Sequence, residues 1–400
     1  MHILLIHQAY AALDEPGGTR HHELARYLVA RGHRLTVIAS PVSYLTGAAW
    51  VERHDDEPGI AILRAYTYPA LHRSFVHRVF SFFSFMFSSF LIGLGVRDVD
   101  LVWGTSPPIF QGATAWAMAR LKRVPFLFEV RDLWPGFAVA VGVLRDKTLI
   151  RASEWLEGFL YRHADQVVVN SPGFIDHVER RGAQRLALVP NGSDVAMFDP
   201  QLDGSDFRTA HGLEGKFLAL YAGAHGMSND LGVVLKAARL LDDQPEIAIV
   251  LLGAGKEKPA LVEMAESMGL TNLHFLPPVP KSEMPLALSA ADACIAILKP
   301  IELYKTVFPN KVFDYMAAGR PVILAIDGVI REVVEGAGAG IAVPPGDPAA
   351  LAQAIRHLAG APENALQMGL AGRRCVEGGF TRELLAEKLA VILEEMGERG

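Results

Sequence analysis

Short, continuous apolar runs alternate with helical patterns from one end of this chain to the other. In the first half the runs fall at residues 3–6, 35–39, 101–103, 125–129, 166–170 and 187–189. In the second half they fall at residues 217–222, 247–252, 273–276, 293–297, 322–325 and 340–343. A strand that is apolar at every position is buried on both faces, which is typical of a parallel sheet covered by helices. The pattern therefore predicts an α/β fold with doubly wound parallel sheets.

A group of turn residues at 190–200 interrupts the alternation, which then starts again. We expect two Rossmann-like domains, residues 1–195 and 196–376, facing each other across a cleft. Ligands of such sheets bind at the carboxyl ends of the strands. The amphipathic pattern at 381–396 predicts a last helix, and residues 377–400 are expected to pack back on the first domain.

Composition narrows the classes of function. The chain has 400 residues, half of them hydrophobic, which is enough for two or three domain cores. Its net charge of −6 argues against nucleic-acid binding, which needs a basic surface. Cys294 and Cys375 are too few for a disulfide framework or a thiolate metal site. The start, MHILLIH, has the pattern of a strand rather than of a signal peptide, so we expect a cytoplasmic protein.

Residues 308–325, FPNKVFDYMAAGRPVILA, are the most informative segment for function. They predict a loop, a helix that begins near Asn310, and a stop at Gly319, because glycine enters the left-handed conformation without steric cost. Lys311 would lie at the helix N-terminus, which attracts anions. Asp314, one turn later, could accept hydrogen bonds from hydroxyl groups. A lysine for phosphate and a carboxylate for a ribose diol predict a nucleotide diphosphate ligand.

Two segments of the first half are further candidates. Gly17 and Gly18 lie between a strand and a helix, where backbone can approach a diphosphate; the alternative is an ordinary loop. Arg131 and Asp132 follow a buried strand, so they would lie at the carboxyl edge of the sheet and could contact a ligand; the alternative is a structural ion pair.

Lys305 and Thr306 precede the Lys311 loop and could reach the same ligand, or they could simply be exposed loop residues. Asp98-Val-Asp100 spells a DxD metal motif, but it comes directly before a buried strand and is predicted to be a turn. His21 and His22 have no partner at metal-ligand spacing. We expect no metal and no cofactor.

Several motifs taken together resemble the retaining GT-B glycosyltransferases of family four, over nearly the whole chain. They are Gly17-Gly18 before a helix, PNGSD at 190–194, YAGA at 221–224, LLGAG at 251–255, FLPPVPKSEMP at 275–285 and the segment 308–325. The stretches EVRDLWP at 129–135 and KTVFPNK at 305–311 look like the L-fucosamine transferase subgroup, which adds amino sugars during surface-polysaccharide assembly.

The resemblance implies a retaining transferase that uses an NDP-sugar as substrate, with UDP the expected nucleotide and an N-acetylated amino sugar the expected group. The expected acceptor is a polyprenyl-linked glycan precursor. The implied catalytic residues are Lys311, Asp132 and Arg131. The implied donor-binding residues are Gly17, Gly18, Gly223, His225, Lys305, Thr306, Asn310 and Asp314.

The chain also departs from the family pattern. The family's two glutamates fall on Thr306 and Asp314, and its arginine and lysine for the diphosphate fall on Ala224 and Asn229. The phosphates would then be bound by backbone amides, Lys311 and either Arg131 or His225. Two alternatives stay open: a non-hydrolysing nucleotide-sugar 2-epimerase on the same frame, and a catalytically weak partner subunit.

Residues 79–96 carry no charge, are rich in phenylalanine, and follow Arg73 and Arg78. Polar residues at 74, 77, 81, 84 and 88 recur every three or four positions, which predicts an amphipathic helix. We expect residues 73–94 to contact the inner face of the membrane, making the protein peripheral there. The alternative is a core helix whose serines bond to backbone carbonyls.

Overall fold

The computed structural model of this chain describes residues 1–15, 17–42, 57–69 and 75–398. The chain forms two compact units. Unit 1 comprises Met1–Ala12, Gly17–Pro190 and Glu383–Gly400, and unit 2 comprises Leu13–Pro16 and Asn191–Arg382. The chain therefore passes from one unit to the other at residue 190, where the sequence had placed the boundary at residue 195.

Unit 1 is built on a parallel sheet of seven strands, counted over the described residues. They are β1 (His2–Ile6), β2 (Arg34–Ala39), β3 (Ile60–Arg64), β4 (Leu101–Ser106), β5 (Phe126–Val130), β6 (Gln166–Val169) and β7 (Leu186–Leu188). The strand order is β3-β2-β1-β4-β5-β6-β7. The direction of winding reverses between β1 and β4, which is the switch point where doubly wound sheets bind ligands.

Helices connect these strands. They are α1 (Arg20–Ala30), α2 (Phe75–Gly95), α3 (Phe110–Lys122), α4 (Gly136–Ala140), α5 (Lys147–His163) and α6 (Ile175–Arg180). The predicted helices near residues 19–31 and 79–96 are confirmed as α1 and α2. The carboxylate of Asp146 caps α5 by accepting hydrogen bonds from the amides of Thr148 and Leu149, which satisfies two free N–H groups of its first turn.

Unit 2 repeats the design with a parallel sheet whose described strands number six, in the order β10-β9-β8-β11-β12-β13. The strands are β8 (Phe217–Ala222), β9 (Ile247–Leu252), β10 (Leu273–Leu276), β11 (Ala293–Ile297), β12 (Val322–Ala325) and β13 (Gly340–Ala342). The helices are α7 (Ser205–His211), α8 (Leu231–Arg239), α9 (Lys258–Ser267), α10 (Met284–Ala290), α11 (Asn310–Ala317), α12 (Val329–Ala337), α13 (Pro348–Ala359) and α14 (Pro362–Gly379).

Alternate residues of the unit 2 strands enter two different cores. Leu218 and Leu220 pack into one, and Ala219 and Tyr221 pack into the other. Helices therefore cover both faces of the sheet. This is why the strands are apolar at every position, and the predicted doubly wound α/β class is confirmed.

The last helix, α15 (Arg382–Gly397), brings Leu385, Leu389 and Leu393 into the core of unit 1, beside Leu24 and Leu28 of α1. Residues 377–379 end α14 instead of belonging to this last segment. The chain thus returns to its first unit after completing the second, as the unit boundaries at Arg382 and Glu383 also indicate.

Candidate functional site

The carboxyl edge of the unit 2 sheet has its switch point between β8 and β11. The loop after β8 contains Gly223 and His225, and β11 is followed by the 3₁₀ turn Glu302–Thr306 and then by α11. The predicted start and stop of the helix are confirmed, because α11 begins at Asn310 and Gly319 has a φ of +67°. The segment singled out from the sequence therefore lies at the position where open α/β sheets bind ligands.

Lys311 lies in the first turn of α11 and is half-buried. Its Nζ is 3.9 Å from the centroid of the Tyr221 ring, which is a cation–π contact. Within the described part of the chain no carboxylate pairs with this ammonium group. Burial lowers the pKa of Lys311 to about 7. A desolvated cation without a counter-ion is stabilised by any anion that binds beside it.

Gly223 brings backbone close to this lysine, and two further glycines pack against the loop that contains it. Gly223 has a φ of +145°, and a Cβ atom on it would lie 2.7 Å from Nζ of Lys311. Gly253 and Gly255, after β9, have φ values of +150° and +159°. A Cβ on Gly253 would lie 1.9 Å from the carbonyl oxygen of Gly223. The two loops therefore pack backbone against backbone, which only glycine permits at these positions.

His225 is fully buried beneath the same loops. Neither of its ring nitrogens has a hydrogen-bond partner among the described residues. Burial lowers the pKa of His225 to about 4, and the charges of Lys258 and Lys311 add to the shift. The imidazole is therefore neutral at neutral pH, so the positive charge near it comes from Lys258, which donates to the carbonyls of Gly253 and Leu276, and from Lys311. An unsatisfied buried imidazole is also a ready hydrogen-bond partner for a ligand.

Asp314 has a different environment from the one predicted. Its carboxylate is buried and accepts hydrogen bonds from Oγ of Ser193 at 2.7 Å, Nζ of Lys281 at 2.5 Å and Nδ2 of Asn310 at 3.1 Å. Asn310 in turn accepts a hydrogen bond at 3.1 Å from Arg382. This polar network ties α11 to the segments where the chain enters and leaves unit 2.

The sequence had assigned Asn310 and Asp314 to the donor, with Asp314 on the ribose hydroxyls. The structure instead commits both side chains to internal partners. The physical reason is helix geometry: residues 310 and 314 lie within about 40° of each other on α11, whereas Lys311 lies about 100° from Asn310 and about 60° from Asp314 around the helix axis. A ribose contact of Asp314 would have to compete with these internal partners, and it stays a prediction.

Lys305 and Thr306 belong to the 3₁₀ turn before α11. Nζ of Lys305 forms an exposed ion pair with Glu302 at 2.8 Å, which raises the pKa of the lysine. The hydroxyl of Thr306 donates to the carbonyl of Leu303 at 2.7 Å. Lys305 also lines a cavity of about 290 Å³ with Asp327. Neither side chain contacts Lys311, so their assignment to the donor sugar stays a prediction.

Gly17 and Gly18 are exposed and precede α1. A Cβ on Gly17 would lie 2.9 Å from Cβ of Ala11, whereas Gly18 faces open space. The hydroxyl of Thr19 donates to Glu23 at 2.6 Å and does not cap the helix. The close contact explains a glycine at position 17, and the predicted diphosphate contact of both residues stays a prediction.

Arg131 and Asp132 follow β5 at the carboxyl edge of the unit 1 sheet. Nε of Arg131 donates to Oγ1 of Thr105 at 2.7 Å and to the carbonyl of Ser106 at 3.1 Å. The guanidinium group is thus anchored to the end of β4, next to the switch point. Burial raises the pKa of Asp132 to about 7, although the charge of Arg131 opposes the shift. A carboxyl group poised near neutral pH can hold or release a proton.

A buried polar cluster beside these residues was missed by the sequence interpretation. Glu129 accepts hydrogen bonds from Nε of Arg20 at 3.0 Å and from Nε2 of His21 at 2.5 Å. The ring of His21 lies 4.3 Å from that of His7, centroid to centroid. His7, which follows β1, is fully buried, and neither ring nitrogen has a partner among the residues described. Burial lowers the pKa of His7 well below its usual value.

The sequence contained one signal for this cluster. Glu129 interrupts the otherwise apolar strand FLFEV, and a carboxylate in a strand buried on both faces requires a cationic or hydrogen-bonding partner. The sequence analysis had considered His21 only as a metal ligand and had not considered Arg20; both residues lie more than 100 positions away from Glu129 in sequence.

The DxD segment is a turn, as predicted. Asp98 has a φ of +53°, and the carboxylate of Asp100 accepts a hydrogen bond from the amide of His2 at 2.7 Å. In the described ranges, no three His, Cys, Asp or Glu side chains come together in a way that could hold a metal ion.

Two family profiles match the chain. Residues 17–192 match the "Glycosyl transferase 4-like domain", and residues 216–360 match the "Glycosyl transferases group 1". Together the matches take in most of unit 1 and most of unit 2. Both descriptions are of glycosyl transferases, so the 2-epimerase alternative gains no support from them.

Curated relatives agree with the profiles. WcaI of Escherichia coli, a glycosyl transferase provisionally assigned to colanic acid biosynthesis, is 24% identical over 322 residues, covering 76% of this chain and 78% of its own. The D-inositol 3-phosphate glycosyltransferase of Corynebacterium jeikeium is 28% identical over 310 residues, covering 72% of each chain.

Solved structures match in fold. Sucrose-phosphate synthase from Thermosynechococcus elongatus superposes with a TM-score of 0.79 at 20% identity, covering 100% of both chains. HepE from Anabaena, in complex with UDP-glucose, gives 0.74 at 16% identity, covering 99% of this chain and 100% of its own.

The two parallel α/β units and these matches define the GT-B fold. The chain is a glycosyltransferase whose residues 17–192 match the glycosyl transferase 4-like domain and whose residues 216–360 match the group 1 glycosyl transferases, in agreement with the resemblance that the motifs had indicated.

Proposed function

We propose that this protein is a retaining glycosyltransferase that uses a UDP-sugar. It would transfer an N-acetylated amino sugar to a polyprenyl-linked glycan precursor at the cytoplasmic face of the membrane, in surface-polysaccharide assembly. The observation that carries the proposal is the half-buried Lys311 ammonium group, which has no anionic partner among the described residues and faces Tyr221 and Gly223.

The similar proteins support a nucleotide-sugar donor and a role in polysaccharide biosynthesis. They do not identify the sugar or the polysaccharide. HepE is described in complex with UDP and with UDP-glucose. WcaI carries a name from colanic acid biosynthesis, and WbpZ of Pseudomonas aeruginosa is named a D-rhamnosyltransferase. The proposal therefore takes an activated sugar as the substrate and its nucleotide diphosphate as the anion bound beside Lys311.

The proposed chemistry follows from that charge. The bond between the anomeric carbon and the donor phosphate oxygen breaks, and the acceptor oxygen bonds to the same face of that carbon. The hydroxyl proton of the acceptor passes to the departing phosphate oxygen. Lys311 stabilises the negative charge that develops on the diphosphate. Asp132 is assigned to orienting the acceptor hydroxyl, with Arg131 holding the loop that carries it.

The first experiment is a binding screen of UDP, UDP-N-acetylhexosamines and GDP-sugars by thermal shift and calorimetry. A ligand that binds only the folded protein raises its melting temperature. We expect UDP-sugars to stabilise the protein and GDP-sugars to do so weakly. If no nucleotide sugar binds, the protein is the weak partner subunit rather than a transferase.

Lys311→Ala tests the site directly. We expect kcat to fall by about 10²–10³-fold, as for the loss of one preorganised donor to a developing oxyanion. Lys256→Ala, an exposed lysine of the same unit, is the matched control and should leave turnover unchanged. NMR of the product's anomeric proton checks retention, and release of a C2 epimer from UDP-GlcNAc without acceptor would point to the epimerase. Unchanged turnover in Lys311→Ala would remove this lysine from the mechanism.

A further inference from the structure

Helix α2 exposes an unbroken line of large apolar side chains on the surface of unit 1. Phe80, Phe83, Phe87, Leu91 and Leu94 are 62%, 37%, 63%, 68% and 49% exposed. Their spacing of three and four residues puts them within an arc of about 80°, along about 21 Å of helix. We call these five residues the α2 apolar face.

The polar side of α2 points the other way. Ser81 and Ser89 are buried, Ser84 accepts a hydrogen bond from the amide of Tyr68 at 2.8 Å, and Ser88 donates to the carbonyl of Tyr66 at 2.6 Å. Ser84 and Ser88 therefore bond to the backbone of unit 1, as the core-helix alternative required, whereas the buried Oγ of Ser81 has no partner among the described residues. Phe82 and Phe85 are buried, but Phe80, Phe83 and Phe87 meet solvent, which is the reverse of an ordinary surface helix.

The α2 apolar face continues toward the predicted acceptor residues of the same unit. The ring of Phe83 lies 4.9 Å from that of Phe110 in α3, and Phe110 lies 5.5 Å from Trp134, centroid to centroid. Trp134 comes two residues after Asp132. A continuous aromatic path therefore joins the exposed helix face to the loop assigned to the acceptor.

The charges near α2 suit an anionic surface at one end. The helix contains no acidic residue, and His77 and Arg78 lie in its first turns. Asp98 and Asp100 follow its carboxyl end, so that end is the less favourable one for anionic headgroups. Arg73 and Ser74, which the sequence interpretation had included, lie outside the described residues.

The helix is long and apolar enough to cross a membrane by length and composition, over His77–Gly95. Its packing opposes that arrangement. Thr114 of α3 donates to the carbonyl of Met86 at 3.2 Å, and a Cβ on Gly93 would lie 2.7 Å from Met118. These close contacts hold one side of α2 against α3, so only the opposite side can contact lipid.

A second copy of this chain is less suited than a lipid bilayer to cover the α2 apolar face. Five partly exposed side chains of this size offer roughly 500 Å², below the about 800 Å² per partner of a stable protein interface. The five side chains also present no hydrogen-bonding group, whereas protein interfaces carry a polar rim.

We propose that α2 lies in the plane of a lipid bilayer, with the α2 apolar face in the boundary between headgroups and acyl chains. This inference rests on the proposed function in one respect: the lipid contact would bring the enzyme to a polyprenyl-linked acceptor, which lies at the bilayer surface.

The test is co-sedimentation of the full chain with vesicles of phosphatidylethanolamine and phosphatidylglycerol. We expect the wild type to bind and the double variant Phe80→Ser/Phe87→Ser to bind about tenfold or more weakly, since burying one Phe side chain is worth at least a factor of ten. Leu366→Ser is the matched control, because Leu366 is 56% exposed in unit 2. It should bind like the wild type.

A second readout separates lipid contact from misfolding and from self-association. Phe87→Trp should show added fluorescence quenching by brominated acyl chains, while circular dichroism and UDP binding stay unchanged. Equal vesicle binding by wild type and double variant overturns the proposal, as does a dimer in sedimentation that the double variant abolishes. A wild type that binds vesicles but no UDP-sugar would refute the transferase and leave the lipid contact standing.

Discussion

The residue that connects sequence to chemistry most directly is Lys311. Its position after Pro309 in the first turn of a helix was readable from the sequence. Its lowered pKa was not, because burial against Tyr221 depends on a strand almost a hundred residues earlier. The titration of this group gives the site a measurable pH dependence.

We expect the affinity for UDP to fall by up to about tenfold per pH unit between pH 7 and 9, because only the ammonium form of Lys311 attracts the diphosphate. The sign follows from the lowered pKa: near pH 7 the group starts to lose its proton, and a bound anion favours keeping it. Calorimetry at pH 6, 7, 8 and 9 measures this. Lys311→Ala should show weak affinity without the slope, and an equal slope in that variant would assign it to another group.

The helix that contains Asp314 was predicted correctly, but the sequence did not predict the internal partners of its carboxylate. The carboxylate was expected on a ribose, but Ser193 and Lys281 occupy it, from 121 and 33 residues away in sequence. Nothing local in the segment 308–325 could show this. Helix phase and long-range packing determined the direction of the side chain.

Asp314→Ala should lower the free energy of unfolding of unit 2 by about 3–5 kcal/mol, because it leaves the Lys281 ammonium group buried without a counter-ion. Urea unfolding followed by a probe in unit 2 measures the change. Replacing both residues, as Asp314→Leu with Lys281→Met, should recover most of the loss. Asp242→Ala, which breaks the exposed pair with Arg239, should cost less than about 1 kcal/mol. A comparably small loss for Asp314→Ala would mean that the pair is solvated.

At the scale of elements, the strands of unit 2 were predicted almost to the residue. β8, β9, β10, β11 and β12 have the predicted bounds, and β13 ends one residue earlier at Ala342. β8 and β9 are apolar runs with a charged residue before them and a glycine after them, so their ends are encoded locally. β3 was not predicted; it is an edge strand, and most of its residues are only half-buried.

The packing of the loops that follow the strands was harder to predict from the sequence. Gly223, Gly253 and Gly255 could have been ordinary turn glycines, and only the structure shows how closely the loops approach Lys311 and each other. The amides of Gly223 and Gly253 donate to the carbonyls of Leu252 and Leu276, so the group that this edge offers to a phosphate is the Lys311 cation rather than those amides.

Gly223→Ala should therefore weaken the stabilisation by UDP, because the new Cβ takes the space beside Nζ of Lys311 in a backbone conformation that alanine rarely adopts. Gly212→Ala is the matched control, since Gly212 also has a positive φ, of +65°, but has open space around it. Both variants should lose about 1–2 kcal/mol of stability. Thermal shift with and without UDP separates this shared cost from the loss of binding, which we expect only at position 223.

At the scale of the whole molecule, both units bury neutral histidines near the carboxyl edges of their sheets. His7 lies in unit 1 and His225 in unit 2, and burial lowers the pKa of each. A buried histidine that stays neutral while the unfolded chain takes up a proton destabilises the fold in acid.

We expect stability to fall as the pH drops from 6.5 toward 4, the interval between the unfolded and folded pKa of His225. At pH 5 this residue alone should contribute a loss of about 2 kcal/mol relative to pH 7. Hydrogen exchange, followed separately in each unit because two-unit proteins need not unfold in one step, measures the change. His225→Gln should flatten the pH dependence in unit 2 and leave that of unit 1 intact. The same slope in the variant would exclude His225 as its source.

By itself the sequence determined the α/β class, the unit 2 strands, the helix at Asn310 with its stop at Gly319, and the family. These features are local, because apolar periodicity and the conformational freedom of glycine act over a few residues. The tertiary structure alone decided which way the side chains point. It turned Ser81 and Ser89 of α2 inward and Phe80, Phe83 and Phe87 outward. It also paired Asp314 with Lys281, and joined Glu129 to Arg20 and His21. Those outcomes depend on partners brought from distant parts of the chain, and burial fixes them only once the sheets have formed.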